Sequence, residues 1–120
     1  MVADPRDAAY LVDMLEAAGK VRRYVRDKTF KGYQRDDLLR DAVERNVDII
    51  GEAARKVSEA FKRSHPEIPW RKIIALRNVL AHEYGHVDNK DMWEVAALHI
   101  PDLIGGLESL IPPLPPEVEE

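Results

Sequence analysis

Between Leu38 and Phe61 the residues Leu38, Leu39, Ala42, Val43, Asn46, Ile49, Ile50, Ala53, Val57 and Phe61 recur at spacings of three and four, nearly all of them apolar. A strand would need alternation, so this period dictates a long amphipathic helix whose stripe other helices must cover. The rest of the chain supplies them. Asp4 followed by Pro5 reads as an N-cap and first helical residue. They open a helix through Tyr10, Leu11, Met14, Leu15, Ala18, Val21 and Val25 that should end near Lys28. Thr29 to Tyr33 reads as a loop, and Ser64-His65-Pro66-Glu67 as the end of the second helix. Ile68-Pro69-Trp70 starts a third, carrying Ile73, Ile74, Leu76, Val79 and Leu80, with Gly85 and then Asp88-Asn89 marking its stop. The fourth runs from about Asn89 to Ile111 with Trp93, Ala96, Ala97, Ile100, Leu103, Ile104 and Leu107 inward. Pro101 should kink it, and Gly105-Gly106 should weaken it or permit close packing.

The expectation is therefore all-α: an antiparallel four-helix bundle over residues 1–111, followed by a disordered Pro/Glu-rich tail over 112–120. At 120 residues one domain is expected, and no apolar run approaches the ~20 residues of a membrane span. The N-terminal Met-Val-Ala-Asp-Pro-Arg-Asp has no secretory pattern, and the absence of cysteine excludes disulfides and thiolate metal sites. A cytoplasmic location follows as the expectation. The net charge of −4 is unevenly spread. Residues 20–77 hold 16 of the 18 Lys and Arg against 9 of the 22 Asp and Glu, a local balance of +7. Such a surface can meet a polyanion despite an acidic pI, although solvated helix faces account for it equally well.

His82-Glu83-Tyr84-Gly85-His86 matches H-E-x-x-H, by which two histidines on one helix face hold a catalytic zinc with the glutamate as base. Gly85 and the residues after it read as a helix ending, which would swing His86 off the face of His82. The third-ligand candidates Glu94 and His99 fall at no supporting spacing. Neither a metal nor another cofactor is expected.

In a shifted frame the same stretch is Arg77-Asn78-Val79-Leu80-Ala81-His82-Glu83-Tyr84, an R-x4-H-x-Y pattern. The run GEAARKVSEAFKRSHPEIPWRKIIALRNVLAHEYGHVD, residues 51–88, resembles the HepT branch of the HEPN superfamily. With the helix order and the Trp93 helix, the resemblance spans roughly residues 4–111. It implies the toxin half of a type VII-like toxin–antitoxin pair and metal-independent RNA cleavage, in which a ribose 2′-hydroxyl attacks the adjacent phosphate. On that resemblance His82 is the general base or acid, suited by an imidazole pKa near neutrality. Arg77 is the cation that forks onto the charged transition state. Asn78 supports either group, and Glu52 on the second helix is a second supporting candidate.

Five helical residues separate Arg77 from His82 by about 140° and about 7.5 Å along the axis. A full set of acid, base and phosphate clamp is easier to assemble from two copies, so a homodimer with a composite site is expected, as the resemblance also implies. Tyr84, seven residues from Arg77, returns to nearly the same face. The resemblance makes it the acceptor of AMP from a cognate minimal nucleotidyltransferase antitoxin, whose added charge would compete with RNA phosphate.

Duller readings stand beside these. Arg77 and His82 near a helix C-terminus suit its dipole, Trp93 reads as a core aromatic, and Glu52 as an ion-pair partner of Arg55 or Lys56. His65 and His99 read as loop and packing residues. The rival function is a non-catalytic binding and acceptor subunit of a nucleotidyltransferase. No interleaving of aromatic and basic residues stands out as a base-reading surface, so selection by RNA shape and phosphate path is expected.

Overall fold

The computed structural model of the chain describes residues 4–82 and 88–111, with side chains for 4–76 and 88–111. Every regular element among the described residues is a helix, and none is a strand. α1 spans Pro5–Val25, and the Asp4 carboxylate accepts from the Arg6 and Asp7 amides at its start. α1 lies along α3 (Asp37–Lys56), and α3 along α5 (Trp70–His82). A final helical run, α6 (Asn89–Glu94), a π-helical turn (Val95–His99) and α7 (Ile100–Glu108), returns along α1. These four rods are the expected bundle. Its core holds Leu11, Met14, Val21, Val43 and Leu107 at 0 % exposure.

Two short helices were not anticipated. The stretch read as a loop contains α2 (Phe30–Arg35), capped by Thr29 Oγ1 accepting from the Gly32 amide at 3.1 Å. Its Tyr33 is wholly buried, 5.5 Å from the Trp93 ring between centroids, and so ties α2 to α6. The Tyr33 hydroxyl has no hydrogen-bond partner among the described residues, and burial, followed by the charge of Glu44, pushes its pKa up to about 12.

The second helix also does not run unbroken to Phe61. Val57 turns extended, and Ser58 caps a new helix, α4 (Glu59–Ser64). The buried Asp7 carboxylate imposes the break from 51 residues away, accepting from the Ser58 amide at 2.8 Å and the Ser58 hydroxyl at 2.6 Å. Apolar spacing continues across the break, so the period alone gives no sign of it. Leu38, expected in the stripe, is 78 % exposed, because its neighbour Leu39 takes the inward position in the first turn of α3.

Pro101 is accommodated by a change of winding. Ile100 N–H reaches back five residues to Val95 O, a π-type bond immediately before the proline. The wider turn eases the crowding that Pro101 would impose on the carbonyl four residues earlier. It also holds back every later residue by roughly 90° of rotation, which gathers Met92, Val95, Ala96, Ile100, Leu103, Ile104 and Leu107 into one narrow stripe. Further along, a Cβ on Gly106 would meet Ile68 Cδ1 at 2.8 Å, whereas one on Gly105 would meet nothing within 4 Å. Gly106 therefore serves close packing and Gly105 does not. The tail over 112–120 lies outside the described residues.

Candidate functional site

α5 carries the residues that the sequence singled out, and its start is firmly placed. The Trp70 indole N–H donates to His65 O at 2.9 Å, and its ring meets Phe61 edge-on at 6.4 Å between centroids. Pro69 O accepts the first helical bond, from Ile73 N–H, at 3.1 Å. Ile68, Trp70 and Ile73 are buried, and Leu76 is half-buried. His65 stacks on Phe61 at 4.4 Å and its Nδ1 lies 3.1 Å from Glu67 Oε1. It is a structural residue of this corner, as expected.

Arg77, Asn78 and His82 follow in the last two turns of α5. By register Arg77 continues the line of Trp70 and Ile73, seven and four residues before it, and His82 lies about 140° further round. Tyr84 lies outside the described residues, as do Glu83 and His86 of the zinc pattern. Of the other zinc candidates, Glu94 and His99 are both exposed. His99 thus departs from the packing role expected of it. It stands at the rim of an open groove instead.

That groove, about 430 Å³, lies between α3, α5 and the π turn. Val47, Ile50, Ile73, Leu76, Val95 and Ile100 give it an apolar floor, while Lys72, His99 and Asp102 supply polar edges. It runs along α5 up to the residue before Arg77. Leu98, in the same π turn as His99, is 61 % exposed.

Glu52 sits on α3, the helix against which α5 packs. Its carboxylate pairs with Arg55 at 2.7 Å and with Lys56 at 3.8 Å. The hydrogen bond from Arg55, then the Glu52 charge itself, raises the Arg55 pKa. The ion-pair reading of Glu52 is thus realised; it leaves a supporting role toward α5 open to experiment. Trp93 is half-buried against Tyr33, as a core aromatic should be. No helix among the described residues is long and apolar enough to cross a membrane.

The sequence reading missed two side chains that position this assembly. Asp7 ends α3, and the buried Lys62 reaches Arg55 O at 3.2 Å, closing the carbonyl end of that helix. Neither has a local sequence signal, because each acts on a backbone group outside its own turn.

Comparison with known proteins places the chain in a family. The family model described as Ribonuclease HepT-like matches residues 14–110. A protein of Thermococcus cleftensis named probable ribonuclease HepT is 39 % identical over 101 residues, covering 84 % of this chain and 92 % of the relative. A candidate RNase of Methanocaldococcus jannaschii is 33 % identical over 95 residues, covering 79 % and 87 %. One of Caldanaerobacter subterraneus subsp. tengcongensis is 32 % identical over 94 residues, covering 78 % and 84 %. No solved structure gives a significant match.

Proposed function

The chain belongs to the HepT-like ribonuclease family of the HEPN superfamily, and on that premise we propose that it is a metal-independent endoribonuclease, the toxin of a toxin–antitoxin pair. The observation that supports this most is the position of Arg77, Asn78 and His82. They close α5, a helix anchored at its start and held along α3, within the segment that the family model covers.

The reaction needs little beyond these side chains. His82 of one protomer takes the proton of a ribose 2′-hydroxyl, whose oxygen attacks the neighbouring phosphorus. The bond from phosphorus to the 5′-oxygen breaks, that oxygen receives a proton from the partner's His82, and a cyclic phosphate remains. Arg77 holds the phosphate oxygens as charge accumulates on them. Asn78 orients these groups, and Glu52 supports them from α3. The apolar groove beside α5, with Leu98 exposed next to it, supports the pairing of two copies that this division of roles requires. Tyr84 receives AMP from a cognate minimal nucleotidyltransferase, and the added phosphate blocks the RNA site. The site of action is the cytoplasm.

Incubating the purified chain with total cellular RNA in a strong chelator, then mapping fragment ends, tests the reading. Cleavage that leaves cyclic phosphates and falls by about a hundredfold or more in His82→Ala and in Arg77→Ala, with melting unchanged, is the expected result. An inert chain that nevertheless binds a nucleotidyltransferase and is adenylylated would replace the nuclease with an acceptor subunit.

A further inference from the structure

Between Lys20 and Arg35 the chain holds seven basic residues against one acid, Asp27. This run forms the end of α1, the turn after it and α2. Arg22, Arg23, Arg26, Lys28, Lys31 and Arg35 are all exposed, and none makes an ion pair among the described residues. Asp27 sits in the turn at φ 60, and Asp36, the next acid, is engaged at the N-terminus of α3, accepting from the Leu39 amide at 3.0 Å. The helix dipole explains Arg22 and Arg23, which lie in the last turn of α1. It does not explain Lys31, in the first turn of α2, where a cation meets the positive end. Among these charges stands Tyr24, the most exposed aromatic of the described residues, at 37 %. The sequence reading passed over this interleaving, although it is visible in the linear sequence from Lys20 to Lys31; the structure adds that the basic side chains and Tyr24 are exposed.

The topology places this surface at the catalytic end of the bundle. α1 starts at the Asp7–Ser58 contact, so its basic terminus lies at the opposite end. α5 starts near Phe61, beside Ser58, and runs antiparallel to α3, Leu76 sharing the groove with Val47. Its last turns therefore point toward the end where Tyr33 of α2 meets Trp93 of α6.

We infer that the exposed basic run formed by the end of α1, the turn after it and α2, with Tyr24 exposed within the run, is the track on which the RNA backbone approaches the end of α5. The inference rests on the ribonuclease reading and names the surface that reading lacks. Guanidinium and ammonium groups without a carboxylate partner among the described residues can displace counterions from phosphates, and Tyr24 offers a face on which any base can stack.

The test is RNA binding by the full chain carrying His82→Ala, which prevents cleavage. The probe is a labelled mixed-sequence single strand of roughly 20 nucleotides, longer than common single-strand sites. Arg22→Gln/Arg26→Gln/Lys31→Gln should raise Kd by at least about tenfold and reduce the slope of log affinity against log salt by about 2. Tyr24→Ala should raise Kd by at least about fivefold whatever the base. Arg6→Gln/Arg63→Gln/Arg71→Gln, an equal loss of charge near the opposite end, should cost less than about threefold.

Unchanged RNA affinity in the first triple variant overturns the proposal, even where the same variant loses an acidic protein partner. Equal losses in both triple variants also overturn it, because the attraction would then be unlocalised. A chain with His82 intact that binds RNA through this surface but never cleaves it leaves the track standing and removes the nuclease function.

Discussion

The two ends of the bundle are built on opposite principles. At one, a buried carboxylate fixes the junction of α3 and α4, and Glu52, Glu59 and Glu67 pair with Arg55, Lys56, Lys62 and His65 around it. At the other, six cations stand in solvent without an acidic partner among the described residues, and the buried Tyr33 hydroxyl has no hydrogen-bond partner among them. The first end, the unpartnered His65 Nε2 apart, spends its polar groups on holding the chain together. The second keeps its charges available, as a surface for an anionic ligand must.

The comparison can be broken most sharply at Asp7. Asp7→Ala leaves the Ser58 amide and hydroxyl without their acceptor and should destabilise the fold by about 3 kcal/mol, read as a lower denaturation midpoint. A loss below ~1 kcal/mol would mean that the junction holds itself.

At the other end the sign should reverse. Tyr33→Phe removes a hydroxyl that was desolvated without a partner, and should stabilise by about 1 kcal/mol. The same group sets an alkaline limit. Its folded pKa of about 12 lies above the ordinary 10, so its contribution is complete below pH 10 and is lost as pH rises through 12. In Tyr33→Phe that part of the alkaline loss should disappear.

Smaller effects sharpen the contrast. Gly105→Ala, with open space around it, should stabilise α7 by about 0.5–1 kcal/mol. Gly106→Ala should gain less, because Ile68 must give way. Smallest of all, neutralising Arg22, Arg26 and Lys31 should leave the melting temperature within a degree or two at moderate salt, with a slight gain at low salt as repulsion is relieved.

The parts legible in the sequence were those governed by neighbours three or four residues apart. Asp4-Pro5 announced α1, and the stripe through Val43, Ile50 and Ala53 announced α3. The R-x4-H spacing singled out Arg77 and His82 on α5. What escaped depended on distant partners. Ser58 becomes a cap only when Asp7 arrives, and Tyr33 becomes a core residue only when Trp93 packs on it. Glu52 was seen as an ion-pair partner because Arg55 and Lys56 lie within one turn. Leu38 was misplaced because a hydrophobic side chain at a helix start carries no sign of the direction it will face.

The π turn at Val95–His99 has a consequence for how this protein tolerates change in length. One residue there is surplus to the core: a chain lacking the outward Leu98 would wind as an ordinary helix and still turn Ile100, Leu103, Ile104 and Leu107 toward the same neighbours. A single-residue deletion, usually ruinous within a packed helix, would here leave the inward residues facing as before, and what the molecule would forfeit is the outward display of Leu98 and His99 beside the groove.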